Sequence, residues 1–424
     1  MRLIEESPVQ AELRARFGPR FQPAGEEEIV GMVWPETEHD VSGVLAIAAQ
    51  AGVPVVPQGS GTSPYGGAAP EKGIVVCLER MARLLDMDKH TQTARVQSGL
   101  IWQALIEQLE PAELMPRVYP SSFKFSTLGG FVGQGGVGLG SFEYGPIDRS
   151  VLGARVLTSE GSILTLEGKS LDLAVGAEGR TGIIVDVTLR LQPHAAMAPL
   201  MAIFDRLTDL ERCVADAATS GLPLWSVCLM DPAAVSMRVD SASRREPVLP
   251  VGRYAALFSF RSGDHRAVVP QLRGAVLAAG GSLLPNKASH DVWAARFMTL
   301  QVRGTTQIPM QLRLPFGRLS ALLAKIPPKV RAALAFEGVI ADQALSVVLR
   351  FFFTQWAHSA DENRRVVANL IELGKQAGGE TYATGAFFLD EAEAVYGRDK
   401  LERLRSFREA MDPSNRFNPG KGFV

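Results

Sequence analysis

Three glycine-rich stretches hold the residues best suited to chemistry in this chain. The first is Pro57-Gln58-Gly59-Ser60-Gly61-Thr62-Ser63, with Gly66-Gly67 close behind. It follows Val53–Val56, a β-branched run that predicts a strand. Closely spaced glycines let successive backbone N–H groups converge on an anion, and Ser60, Thr62 and Ser63 add hydroxyl donors. A pyrophosphate is the kind of ligand such a loop holds. No Gly-Lys-Ser/Thr follows, so this is not a Walker loop, and the third glycine and ribose-binding acid of a dinucleotide fingerprint are missing. Read alone, the loop fits a tight surface turn equally well.

The second stretch is Pro120-Ser121-Ser122, then Ser126-Thr127-Leu128-Gly129-Gly130, then further glycines up to Gly145. So many glycines disfavour a helix and suit turns or close backbone approach to a ligand. The apolar Leu128, Phe131, Val132, Val137 and Leu139 argue against a solvated linker. The third stretch is Val175-Gly176-Ala177-Glu178-Gly179-Arg180-Thr181-Gly182-Ile183-Ile184, which leads into a predicted strand. On its own it reads as a hairpin turn.

The elements that must position these loops follow from periodicity. Val41–Gln50 predicts a helix ended by Gly52. Gly73–Leu78, Thr93–Gln97, Ser150–Leu157 and Gly182–Leu191 predict strands, and Leu100–Leu109 a helix. Beyond Pro199 glycine thins out. Strands at Met201–Phe204, Leu222–Leu229, Tyr254–Phe260 and Leu345–Phe353 alternate there with helices at Asp209–Ala218, Arg266–Ala278, His290–Met298 and Asn363–Lys375. That pattern predicts an α+β domain with helices on one face of a sheet. A last helix, Lys400–Met411, stops at Asp412-Pro413. No internal repeat is visible. The expected division is an N-terminal segment (1–32), a glycine-rich domain (33–194), an α+β cap (195–385) and a tail (386–424).

Composition narrows the partners. The 424 residues carry 44 Lys+Arg against 45 Asp+Glu, a net charge of -1, which points away from nucleic acid. Cys77, Cys213 and Cys228 form no CxxC pair and read as free thiols of a reducing compartment. Residues 1–17 lack the apolar run of a signal peptide, and nowhere do ~18 apolar residues follow one another. The cytoplasm is the expected location, with peripheral attachment to a membrane complex left open.

Together the three stretches resemble the flavin domain of the FAD-linked oxidase family typified by vanillyl-alcohol oxidase, p-cresol methylhydroxylase and the glycolate oxidase and D-lactate dehydrogenase flavin subunits. The family's first loop reads approximately Pro-Arg-Gly-x-Gly-Thr, with Gln58 here in place of the Arg. Its second, Thr-Ile-Gly-Gly, is similar to Thr127-Leu128-Gly129-Gly130, and its third, Gly-Ser-Glu-Gly-x-x-Gly-Ile, to Gly176–Ile183. The closing Asp412-Pro413 and Asn418-Pro419-Gly420-Lys421 also resemble the family's tail. The resemblance implies a two-subdomain FAD-binding domain of the p-cresol methylhydroxylase type plus a ferredoxin-like cap. It makes Gln58, Gly59, Ser60, Gly61, Thr62, Ser63, Gly67, Pro120, Ser121, Ser126, Thr127, Gly129, Gly130, Glu178, Gly179, Gly182, Ile183, Ile184, Asn418 and Lys421 the expected cofactor contacts. Some members attach FAD through a histidine of the first loop. Thr62 stands there, so non-covalent FAD is expected, and Lys421 is a candidate to stabilise the anionic reduced flavin.

The cap departs from the family. Trp293-Ala294-Ala295-Arg296 resembles the Trp-x-x-Arg whose guanidinium binds a substrate carboxylate in the glycolate and D-lactate branch. That branch also has a His-x-Gly-Asp-Gly-Asn-x-His pair of metal ligands, but Val339 and Ser346 occupy the two positions. Its later Glu-His-Gly falls near Ala383-Thr384-Gly385. No metal is therefore expected. Of six histidines, His290 and His358 lie in attractive parts of the cap, and His290 is the candidate base. The resemblance implies oxidation of a small hydroxy acid or other alcohol. Electrons would pass to a quinone, an electron-transfer protein or oxygen, and partner subunits are possible. An oxidase of a non-acid alcohol or lactone, or a flavin-holding subunit with little activity, remain alternatives. If Arg296 anchors an acid substrate, Arg296→Ala should cost about 2–5 kcal/mol of binding. KM should then rise strongly while the flavin spectrum stays unchanged, and Lys should rescue only part of the loss. A normal KM would make Arg296 a surface residue.

Overall fold

The computed structural model describes residues 6–24, 28–240, 250–294, 307–353 and 360–421. The first sheet holds β1 (Phe21–Pro23), β2 (Ile29–Val33), β3 (Val55–Gln58) and β4 (Gly73–Cys77) in the order β1-β2-β4-β3. Strands β2, β4 and β3 are parallel. The connection between β2 and β3 contains helix Glu38–Ala51, which begins with a capping box between Thr37 and Asp40 and ends at the left-handed Gly52. Its Val41, Val44, Leu45, Ile47 and Ala48 share a core with Val55, Ile74 and Val76. Strand β3 therefore presents the first glycine loop at its carboxyl end, where parallel sheets open a crevice.

The second sheet is antiparallel, in the order β5 (Leu84–Asp88), β6 (Thr93–Gln97), β10 (Ile183–Pro193), β8 (Val151–Leu157), β9 (Ile163–Glu167), with β7 (Leu114–Pro116) pairing the end of β10. Asp186 on β10 is buried and receives Arg95 at 2.8 and 2.9 Å and Arg155 at 2.7 Å. Arg155 also grips Glu38 at 2.6 and 3.0 Å, tying the helix of the first sheet to the second. The second glycine stretch does form short helices, Leu128–Gly133 and Ser141–Tyr144, against the sequence expectation. Burial of Leu128, Phe131 and Val132 and the Thr127 cap, which accepts from the Gly130 N–H, offset the low propensity of glycine.

Among the described residues the third sheet has eight strands: β11 (Met197–Phe204), β12 (Leu224–Met230), β13 (Tyr254–Arg261), β14 (Ser282–Leu283), β15 (Gln307–Pro315), β16 (Leu334–Ile340), β17 (Ser346–Phe353) and β18 (Glu380–Thr381). Their order is β14-β11-β13-β12-β16-β17-β15-β18. Each half repeats one plan. In β11-helix-β12-β13-helix-β14 and in β15-helix-β16-β17-helix-β18, the first strand lies between the third and the fourth, the ferredoxin-like arrangement. The halves join edge to edge where β12 pairs with β16. The duplication is one of topology, in a sequence that shows no internal repeat.

Helices Leu207–Thr219, His265–Ala278, Leu319–Lys325 and Ala360–Gln376 share the core on one face of that sheet. The other face is not bare: Ala234 and Val235 of helix Pro232–Asp240 and Val292 of helix Asn286–Ala294 pack there against Leu257, Ala335 and Phe352. This second face also meets the half that carries the first two sheets. Trp225 is fully buried, donates its indole N–H to the Arg117 carbonyl at 3.1 Å and stacks edge-on against Trp293. Arg261 reaches Glu143, Tyr144 and Gln192 with one guanidinium nitrogen. The three cysteines are free. Burial pushes the thiols of Cys77 and Cys213 up to about 11 and about 12.

Candidate active site

The three glycine motifs converge on one cleft of about 1290 Å³ between the two flavin-half sheets and the cap. Gln58, Gly59, Ser60, Gly61, Thr62, Ser63, Gly67, Pro120, Ser121, Ser126, Thr127, Gly129, Gly130, Glu178, Gly179, Gly182 and Ile184 all line it. Close approach explains two of the glycines. A Cβ on Gly59 would lie 2.1 Å from the Thr127 hydroxyl, and one on Gly129 would lie 2.5 Å from the Ser98 Cβ. The first and second motifs are further joined by Thr62 Oγ1 to Ser126 Oγ at 3.0 Å, and Ser126 Oγ continues to Ser122 Oγ. Gln58, where the family pattern has arginine, donates to the Ala68 carbonyl at 2.9 Å and closes the loop on itself.

Other expected contacts lie elsewhere. Ile183 is buried in the core shared by the two flavin-half sheets, because β10 alternates and only Ile184 faces the cleft. Asn418 is buried behind the loop and donates to the carbonyls of Gly67 at 2.7 Å and Glu178 at 3.1 Å, so it fastens the first motif to the third. Lys421 does not reach the cleft either; its ammonium pairs with Glu71 at 2.9 Å. His290 is exposed and lines neither cavity described here, while Val292, two residues on, faces inward. Arg296 and His358 fall outside the described residues.

Glu178 lines the cleft, but its carboxylate is engaged. It accepts from the N–H and hydroxyl of Thr384, the Gly385 N–H at 3.0 Å and the Tyr396 hydroxyl at 3.2 Å. It also pairs with the fully buried Arg180 at 3.1 Å. Burial pushes the Tyr396 phenol up to about 12, so it stays a donor. The segment Ala383–Gly385 thus serves as a clamp. Val339 turns its isopropyl group into a second cavity, Ser346 sits beside Asp342 in the β16–β17 turn, and no group of three or more His, Cys, Asp or Glu able to hold a metal exists among the described residues.

Sequence reading missed the cap wall of the cleft: Gln311 on β15, Arg350 on β17 and Tyr382 just after β18. Only strand pairing reveals these, since no local motif marks them. Tyr382 accepts from the Val137 N–H, and burial raises its phenol above its ordinary value, leaving its proton for donation.

The cleft fits a dinucleotide with a pyrophosphate. Among the described residues, the N–H groups of Ser60, Gly61, Thr62 and Ser63 donate to no protein acceptor. Four consecutive unpaired donors with interleaved hydroxyls form an anion cradle. The family model described as an FAD binding domain matches residues 30–167, and that of the FAD-linked oxidases' C-terminal domain matches 194–422. Glycolate oxidase subunit GlcD of Bacillus subtilis is 26% identical over 93% of this chain and 88% of its own length. A D-lactate dehydrogenase of Archaeoglobus fulgidus is 26% identical over 95% and 93%. Among solved structures, substrate-bound p-cresol methylhydroxylase superposes with a TM-score of 0.75 at 15% identity, covering 98% of this chain and 96% of its own. An alkyldihydroxyacetonephosphate synthase gives 0.77 at 17%, covering 99% and 86%. The fold and site define a p-cresol methylhydroxylase-type flavoprotein. The chain belongs to the FAD-linked oxidases, and FAD is its cofactor.

With the Thr62 hydroxyl bonded to Ser126 and no histidine in the loop, FAD should leave the protein intact on acid or heat treatment. Absorbance of the supernatant after precipitation checks this. Yellow colour retained on the denatured chain would contradict it.

Proposed function

We propose that the protein oxidises the carbinol carbon of a hydroxy acid. The observation that supports this most is the continuity of two cavities. The cofactor cleft and a second cavity of about 770 Å³ share Ser121, Val137, Gln311 and Arg350, so a molecule in the second lies against whatever fills the first. The relatives named as a glycolate oxidase subunit and a D-lactate dehydrogenase favour a hydroxy acid over a simple alcohol.

The cradle of residues 60–63 would hold the pyrophosphate, with Thr127, Gly129 and Gly130 passing close beside the cofactor. FAD supplies a hydride acceptor when bound. With that acceptor present, oxidation to a keto acid would require a side chain to take the substrate O–H proton, and an external acceptor would take the two electrons. Glu337 is the acidic side chain among the described residues lining the second cavity and would accept that proton. Tyr382 is placed to donate to an oxygen in the cleft. The test is anaerobic bleaching of the flavin by a panel of hydroxy acids, alcohols and lactones. Bleaching by hydroxy acids supports the reading, and bleaching by alcohols or lactones alone would overturn it.

Turnover should not depend on a bound divalent metal, because Val339 and Ser346 cannot supply the three or four ligands a zinc site needs. Prolonged chelation should leave the rate unchanged. Stoichiometric metal in the purified protein, with activity lost on its removal, would refute this.

A further inference from the structure

The second cavity lies between the flavin half and the cap sheet, and its wall is mostly apolar. Leu139 comes from the flavin half; Leu229, Leu257, Val292, Val339 and Val348 come from the cap. Against this wall stands one row of polar side chains. Glu337 on β16 pairs directly with Arg350 on β17, and Arg350 pairs directly with Gln311 on β15. Residues directly opposed across an antiparallel pair point to the same face, and all three line the cavity. Arg350 stands in the middle of the row and also lines the cofactor cleft.

The guanidinium of Arg350 lacks the partners such a group needs. Its Nε is buried without a hydrogen bond, and its side chain makes no ion pair or hydrogen bond among the described residues. A cation held partly out of water without a counter-ion is costly, and an anion arriving there recovers that cost. Arg261, Arg155 and Arg180, by contrast, all have carboxylate partners.

We infer that the second cavity is the subsite for a monocarboxylic hydroxy acid with an apolar body, its carboxylate held by Arg350. This rests on the reading that the protein oxidises hydroxy acids at FAD. Leu229, Leu257, Val292, Val339 and Val348 form a longer apolar wall than a two- or three-carbon acid covers. Each methylene of a longer substrate buried against the apolar wall adds roughly fourfold in affinity. A second carboxylate is disfavoured because Glu337 faces the same space. Arginine suits the role, since its planar fork meets both carboxylate oxygens at once.

The experiment uses the FAD-loaded protein and non-oxidisable probes, read by the perturbation of the flavin absorbance. The probes are 4-methylpentanoate, its amide, acetate and glutarate. The wild type should bind 4-methylpentanoate more tightly than the other three. Arg350→Met should weaken the carboxylate by about 30-fold or more, the effect of losing a desolvated charge contact, and leave the amide unaffected. Arg350→Lys should restore part of the loss. Equal carboxylate affinity in Arg350→Met, or acetate or glutarate matching 4-methylpentanoate, would overturn the inference. So would a loss confined to Arg296→Ala. If both Arg350 variants lose FAD, Arg350 holds the cofactor and the inference also falls. Failure of the wild type to be reduced by any hydroxy acid would instead strike the proposed function, independently of the probe titrations.

Discussion

The buried pair of Glu178 and Arg180 is the constraint on which the site depends. Arg180 is fully buried, so its charge has to be met within the protein, and Glu178 meets it at 3.1 Å. Glu178 then draws in the backbone and hydroxyl of Thr384, the Gly385 N–H and the Tyr396 hydroxyl. One carboxylate thus binds the third glycine motif of the flavin half to the chain that leaves the cap at β18. Asn418 adds the C-terminal tail and the first motif to the same knot through the carbonyls of Glu178 and Gly67. Residues more than two hundred positions apart in sequence are thereby held around one cleft. In the family pattern the position near Thr384 carries a proposed base and metal ligand. Here that segment is committed to structure instead.

The cap supplies the other wall through its doubled ferredoxin-like sheet. Joining two units at β12 and β16 places β16, β17 and β15 side by side. Their alternation sends Leu349, Phe351 and Phe353 into the main cap core and leaves Val348 and Arg350 facing the flavin half. The metal-ligand positions of the glycolate branch become an isopropyl wall at Val339 and the first residue of β17 at Ser346.

The cleft was readable in the sequence because its first glycine loop is local. Its glycines and hydroxyls are consecutive, and every residue expected from Gln58 to Ser63 lines the cleft. Residues whose role depends on pairing were not readable. Gln311, Arg350 and Tyr382 meet only through strand order. Lys421 and Asn418 sit in a matching motif but face Glu71 and the back of the loop, since a motif gives identity and not direction. The helix at Leu128–Gly133 escaped the propensity argument because its stability comes from burial. The cap repeat escaped because its two halves share topology without a visible sequence period.

The central claim is that the substrate carbon reacts directly across the shared wall of the two cavities. The most direct measurement is the anaerobic rate of flavin reduction by a hydroxy acid carrying deuterium on its carbinol carbon. Breaking that C–H bond in the reductive step predicts a rate severalfold lower than with the protiated acid. Reduction at the same rate with both isotopologues, across substrate concentrations that saturate the site, would contradict the account.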